Sequence, residues 1–310
     1  MNESLPLPDK DYKVVIKCFT YNQEAFIEET LKGFVMQQTT FPFCALVVDD
    51  CSTDGTADII RRYESQYPEI IKGFYLQENY HSQRKPKAPL LKPWFDRTEY
   101  VALCEGDDYW TSPDKLQKQV DALDSHPEAI LCHTGFNCVD EQGQVISRPF
   151  YEKCMNRSHS GDNLLTMFGG NYIMTLTVMY RPRLIFSEVY LNAPAKLDFS
   201  LAMAAAVQSD VVYIPERMAS YRQNPKGAMA TENKQVKLAT KKAYQYYSRL
   251  VLEGKTKKIN WLTKWKIVFH IIVRSIKIKE YDFLDNIKRD FSLVKFLYPF
   301  AKMYSKTNVR

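Results

Sequence analysis

Three times in its first 110 residues the chain runs a short apolar stretch of strand length straight into a cluster of polar residues. Val14-Val15-Ile16-Lys17-Cys18-Phe19 stops at Thr20-Tyr21-Asn22. Ala45-Leu46-Val47-Val48 stops at Asp49-Asp50-Cys51-Ser52-Thr53-Asp54-Gly55-Thr56, and Val101-Ala102-Leu103-Cys104 stops at Glu105-Gly106-Asp107-Asp108-Tyr109-Trp110. Between them, Ala25, Phe26, Leu31, Phe34 and Val35 recur at helical spacing over residues 24–38, and a second helix is expected from Thr56 to Tyr67 before a strand from Ile70 to Leu76. Apolar strands alternating with helices predict an α/β fold with a mostly parallel, doubly wound sheet flanked by helices. Ligands of such sheets bind beyond the carboxyl ends of the strands, so the three polar clusters are expected to line one crevice.

The last cluster sets three carboxylates, Glu105, Asp107 and Asp108, within four residues. Like charges at that spacing repel unless a cation sits among them, and hard oxygen ligands suit Mg²⁺ or Mn²⁺, so one reading is a metal site that holds a diphosphate. The competing reading is a solvated acidic turn ahead of a helix begun by Ser112-Pro113-Asp114. There is no Gly-x-Gly-x-x-Gly and no complete Gly-x-x-x-x-Gly-Lys-Ser/Thr loop to grip phosphates instead, since Gly254-Lys255-Thr256 has Arg249 where the first glycine would stand. A carboxylate of the Asp49–Asp50 pair can accept from a nucleobase N–H while Tyr21 or Phe19 stacks on the base. Capping of the following helix would use the same aspartates.

Phe19-Thr20-Tyr21-Asn22-Gln23-Glu24, VVDDCSTDGT from Val47 and CEGDDYWTSPDKLQKQVDAL from Cys104 resemble, in order and spacing, the family 2 glycosyltransferases of the GT-A (Rossmann-like) fold, in their bacterial capsule and O-antigen branch. The resemblance runs from Val14 to Arg222. It implies an inverting transferase of hexosyl or N-acetylhexosaminyl groups that takes a nucleoside-diphosphate sugar, commonly uridine-based, with Mn²⁺ or Mg²⁺ on the diphosphate. Carried over by position, Thr20, Tyr21, Asn22, Glu24, Asp49, Asp50, Asp107 and Arg222 would contact the donor nucleotide. Glu105, Asp107 and Asp108 would hold the metal, with Glu105 standing where the family commonly has aspartate. Asp198, within Lys196-Leu197-Asp198-Phe199-Ser200, takes the place of the catalytic base, although Leu197 replaces the usual glutamate. Trp110 and Asn171 are expected on the acceptor side, with the polar segment 141–163. After Tyr221-Arg222 the family often carries a histidine where this chain has Asn224, which leaves Arg222 or Lys226 as the phosphate partner.

The chain's net charge of +6 conceals an asymmetry: residues 255–310 carry 14 Lys or Arg against 4 Asp or Glu. On the expected helix from Trp261 to Lys277, Lys266, His270, Arg274 and Lys277 form a cationic stripe amid apolar residues, the layout of a helix lying in a membrane interface. The competing reading is a helical pair packed on the catalytic domain or forming a homodimer. No nucleic-acid-binding motif accompanies the charge, so nucleic acid is not an expected partner. The division expected is residues 1–230 as the nucleotide-sugar-binding catalytic domain and 231–310 as a basic helical appendage.

Seven cysteines without a C-x-x-C pair point to reduced thiols, and the acidic, proline-containing start MNESLPLPDKDY lacks the halves of a secretion signal. The expected location is cytoplasmic, peripheral on the inner face of the membrane, where a lipid-linked saccharide would be the acceptor. Clustered aspartates also suit a metal-dependent phosphohydrolase or nucleotidyltransferase. The Glu105, Leu197 and Asn224 departures leave open a silent sugar-nucleotide or membrane-binding protein.

Overall fold

The computed structural model describes residues 8–156, 158, 160–161, 163–169, 172–223 and 234–307. Strand β1 (Tyr12–Thr20), helix α1 (Ile27–Val35), β2 (Phe43–Asp49), α2 (Thr56–Gln66), β3 (Ile71–Tyr75), α3 (Ala88–Phe95) and β4 (Thr98–Leu103) form the first half. Then come β5 (Tyr109–Trp110), α4 (Lys115–Asp124), β6 (Leu131–Val139), α5 (Pro149–Met155), α6 (Leu164–Gly169), β7 (Met179–Tyr180), α7 (Glu188–Leu191), α8 (Asp198–Gln208) and β8 (Val211–Arg222). Helices α9 (Lys234–Glu253), α10 (Trp261–Lys277), α11 (Tyr281–Asp290) and α12 (Ser292–Thr307) close the chain.

One eight-stranded sheet runs β3-β2-β1-β4-β7-β6-β8-β5. The first four strands are parallel, as the alternation of strand and helix predicts, and β6 is parallel to β8. Strand β7 is antiparallel to both its neighbours, and β5 is antiparallel to β8. Because β1 and β4 are adjacent and parallel, Thr20 and Glu105 emerge at the same edge of the sheet.

Each face of the sheet carries its own core. Val14, Ile16, Cys18, Val47 and Ala102 pack on Leu31 and Phe34 of α1 and on Leu116 and Val120 of α4. Gly33 lets α1 come down on β5, since a Cβ there would lie 2.9 Å from the Trp110 backbone nitrogen. On the other face, Val15, Leu46, Val48, Val101 and Leu103 pack with α3, α6, α8 and the C-terminal helices. Full burial of one such side chain stabilises the fold by roughly 1.5–3 kcal/mol.

The sequence pattern at Met174 to Tyr180 reads as a strand, but only Met179 and Tyr180 pair. Thr175–Thr177 forms a 3₁₀ turn, because the Thr177 N–H and hydroxyl both donate to the Met174 carbonyl and so satisfy locally what a ladder would satisfy. His133 is a core residue between the rings of Tyr172 and Tyr213, its pKa lowered by burial to about 3. Cys18, Cys44, Cys51, Cys104, Cys132 and Cys138 are free thiols.

The C-terminal helices are part of the same core. Tyr247 of α9 donates its hydroxyl to the Ser200 carbonyl of α8, and Ile267, Val268, Ile271 and Ile272 of α10 are fully buried. The cationic stripe expected on α10 is therefore split. Lys266, His270 and Lys277 are exposed, while Arg274 turns inward and stacks 3.6 Å from the centroid of the Tyr244 ring. No described helix is long and apolar enough to cross a membrane.

Candidate active site at the carboxyl edge of the sheet

The loops after β1 and β2 are stitched together side by side. Asn22, in the left-handed region at φ 50°, accepts the Thr53 N–H at 2.8 Å and gives its own N–H to the Ser52 hydroxyl. Gln23 N–H donates to Thr56 Oγ1, and Glu24 accepts the Gly55 N–H at 2.9 Å. The polar residues of both loops thus bond to each other, which fixes the two loops side by side at the sheet edge. Tyr21, 46% exposed, is left with a ring face toward solvent.

Asp49 and Asp50 divide their work. Asp49, the last residue of β2, accepts the N–H and hydroxyl of Ser52. Asp50, 1% exposed, accepts the backbone N–H groups of Tyr80 and His81 at 2.9 and 3.0 Å and the Lys87 ammonium at 2.8 Å. It thereby ties the loop after β3 to the crevice rim, and neither aspartate caps α2.

The acidic motif turns at Gly106, where a Cβ would sit 2.8 Å from Thr20 Oγ1. That hydroxyl is buried and has no partner among the described residues. Beyond the turn, Asp108 points inward. It is 4% exposed, its Oδ1 accepts the Arg222 N–H at 2.9 Å, and its carbonyl accepts the Thr30 hydroxyl. Burial, with the charge of Asp107 added, pushes its carboxyl well above the usual carboxylate range. Arg222 is equally enclosed. Its guanidinium donates to the carbonyls of Asp107, Asp140 and Glu141 and pairs with Glu29, so it clamps the end of β8 onto the motif. Asp108 and Arg222, the residues expected to face metal and phosphate, both hold the motif in shape through these contacts.

Glu105 and Asp107 remain partly exposed at the edge. The Glu105 carboxylate lies 3.6 Å from the Lys17 ammonium. Burial raises its pKa, the Lys17 charge opposes the rise, and the charges of Asp198 and Asp107 add to it. Asp198 is exposed at the first turn of α8 and accepts the Thr175 hydroxyl through Oδ2. Carboxylates from the end of β4 and the start of α8 therefore lie within electrostatic reach of each other.

No group of three or more His, Cys, Asp or Glu forms a ready-made metal cage among the described residues. Two carboxylates beside an open edge still fit a magnesium-type ion, which is characteristically held by one or two protein carboxylates with phosphate oxygens and waters completing the shell. Glu105 and Asp107 are the two carboxylates of the motif that stay partly exposed.

Trp110, expected on the acceptor side, is 2% exposed, donates its indole N–H to the Leu176 carbonyl and packs on Phe34. Its place is the core beneath the motif. Asn171, Asn224 and Lys226 lie outside the described residues. Sequence reasoning passed over Lys17, Lys87 and Thr175. Lys17 and Lys87 place their ammonium groups 4.5 and 4.8 Å from the Phe19 ring centroid, one on Glu105 and the other on Asp50. The signal for Lys17 was present, as a lone charge inside an otherwise apolar strand.

The profile of glycosyl transferase family 2 matches residues 15–181. The chain belongs to that family. Among relatives, the Mycobacterium tuberculosis protein Rv1520 is 38% identical over 212 residues, covering 68% of this chain and 59% of its own. The chain thus spans about three fifths of the length of such relatives. Poly(ribitol-phosphate) β-N-acetylglucosaminyltransferase TarS of Staphylococcus aureus is 33% identical over 115 residues, 36% of this chain and 19% of its own. The structure of TarS residues 1–349 in complex with UDP-GlcNAc superposes with a TM-score of 0.65 at 18% identity, covering 95% of this chain and 87% of that one. A mannosyltransferase from Pyrobaculum calidifontis in complex with GDP-Man and Mn²⁺ gives a TM-score of 0.53 at 16% identity, covering 97% and 87%. These solved structures share the fold of this chain.

Proposed function

We propose that the protein is an inverting glycosyltransferase that moves a hexosyl or N-acetylhexosaminyl group from a UDP-sugar to a hydroxyl of a lipid-linked saccharide, a step in building a surface polysaccharide on the cytoplasmic side of the membrane. The observation that carries the reading is that Glu105, just beyond the carboxyl end of β4, feels the charges of both Asp107 and Asp198. Family membership and the uridine nucleotide held by TarS support the choice of donor.

Tyr21 offers its exposed ring to the base, and Asp49 and the Thr20 hydroxyl lie beside it at the ends of β2 and β1. Glu105 and Asp107 would hold a divalent cation, which supplies neutralising charge to the diphosphate leaving group. Thr175 donates to one oxygen of Asp198 and so orients the carboxylate, leaving Oδ1 to take the proton from the acceptor hydroxyl. The acceptor oxygen bonds to the anomeric carbon as the bond to the diphosphate breaks, and attack from the side opposite the leaving group inverts the centre.

The test combines the protein, Mn²⁺ and a panel of UDP-sugars with and without saccharide acceptors. Donor binding should raise Tm, and UDP should be released only with an acceptor present. Asp198→Asn should lower transfer by about 10²–10⁴-fold while donor affinity stays within about threefold of wild type. Release of UDP at the same rate without acceptor, or unchanged transfer by Asp198→Asn, would overturn the assignment.

A further inference from the structure

The outer surface of the C-terminal helices carries the largest exposed aromatic side chains of the described residues. Trp261 is 72% exposed, Phe296 56% and Phe300 57%, and Met303 adds a further apolar tip at 69%. They form one strip across two helices. The Trp261 and Trp265 rings lie 6.5 Å apart, Trp265 meets Phe296 at 5.5 Å, and Phe296 meets Phe300 at 5.8 Å. Burying the opposite faces of α10 and α12 in the core fixes this side outward, so the strip belongs to the folded molecule.

Its charge surroundings select the partner. Residues 254–279 contain eight Lys or Arg and no Asp or Glu, and α12 likewise has no acid. Lys266 stands next to Trp265 and Lys295 next to Phe296, each about 100° around its helix. Lys266, Lys295 and Lys302 are exposed and make no ion pair among the described residues. A two-fold contact of this face with a second copy would set each basic rim against itself, whereas a bilayer of acidic lipid complements both the rim and the strip. Tryptophan and phenylalanine on a helix flanked by lysines suit insertion at headgroup depth.

We propose that this aromatic strip, rather than the cationic stripe of α10, docks the protein onto an anionic lipid surface by inserting Trp261, Trp265, Phe296 and Phe300 between the headgroups. The inference deepens the lipid-linked acceptor reading. It does not depend on catalysis, because binding is measured without donor.

The experiment sediments the full chain with vesicles of phosphatidylglycerol and phosphatidylcholine, and with phosphatidylcholine alone. Wild type should partition at least tenfold better onto the acidic vesicles, with a blue shift of tryptophan emission. Trp261→Ser/Phe300→Ser should lose at least tenfold in partitioning while keeping the wild-type circular dichroism and Tm. Lys266→Glu/Lys295→Glu should lose the preference for acidic lipid. Equal sedimentation of the aromatic variant, no binding by wild type, or a concentration-dependent dimer abolished by Trp261→Ser/Phe300→Ser without vesicle binding would each overturn the proposal. Loss of transferase activity with vesicle binding intact would count against the catalytic reading alone.

Discussion

Asp107 and Asp108 are neighbours with opposite surroundings, and substitution should separate their roles. Asp108→Ala leaves the buried Arg222 N–H without its acceptor, which should cost about 1–3 kcal/mol of stability in urea unfolding. Asp107→Ala, at a partly exposed position, should shift stability by less than about 0.5 kcal/mol yet weaken Mn²⁺-dependent donor binding at least tenfold by calorimetry. A second prediction concerns Lys115, fully buried with its ammonium 4.1 Å from the Trp110 ring and hydrogen-bonded to Gln119. Burial lowers its pKa from 10.5 to about 7. Between those values the unfolded chain binds a proton that the folded one does not, so this group makes stability rise with pH. From pH 7 to 9.5 wild type should gain up to about 3 kcal/mol relative to Lys115→Met, read from urea midpoints at both pH values. A constant difference would show that Lys115 does not titrate in this window. The chain's pattern told which residues end at the sheet edge, and their direction was not legible. Asp108 turns inward because of Arg222, 114 residues away, and Asp50 because of Lys87 and two backbone N–H groups of a later loop.

Periodicity served the long elements well and the short ones poorly. Helix α10 falls on the residues its spacing predicts, and β1, β2 and β4 carry the runs of apolar residues that defined them. Helix α3 escaped notice because Pro93 lies inside it, and β7 is short because the Thr177 N–H and hydroxyl satisfy the Met174 carbonyl before it. The segment between β3 and α3 has no periodic pattern of its own and takes its shape from Asp50. Asp50→Ala removes the acceptor for two N–H groups and strands the Lys87 ammonium. It should cost about 2–4 kcal/mol and open residues 81–86 to proteolysis, which limited digestion followed by mass spectrometry would detect. If that loop stays resistant, Asp50 is not its anchor.

At the scale of the molecule, the basic C-terminal region looked separable in sequence because its charge balance differs so sharply from the rest. In the structure its inner face completes the core that also holds α6 and α8, and α8 begins with Asp198. Removing the last helices would therefore uncover buried surface around Phe168, Met203 and Tyr247 and disturb the helix that begins with Asp198 as well as any lipid contact. Point changes distinguish these effects. Ile271→Asp places an unpaired carboxylate in a fully buried site on α10 and should destabilise the whole protein by more than about 4 kcal/mol, lowering transfer and vesicle binding together. Trp261→Ser/Phe300→Ser touches only the outer face and should affect the vesicles alone. A thermal melt of Ile271→Asp showing the sheet intact while only the last helices unfold would mean that the appendage is an independent unit after all. Cooperative loss of both would show that the proposed lipid-facing surface and the proposed donor site stand on one core.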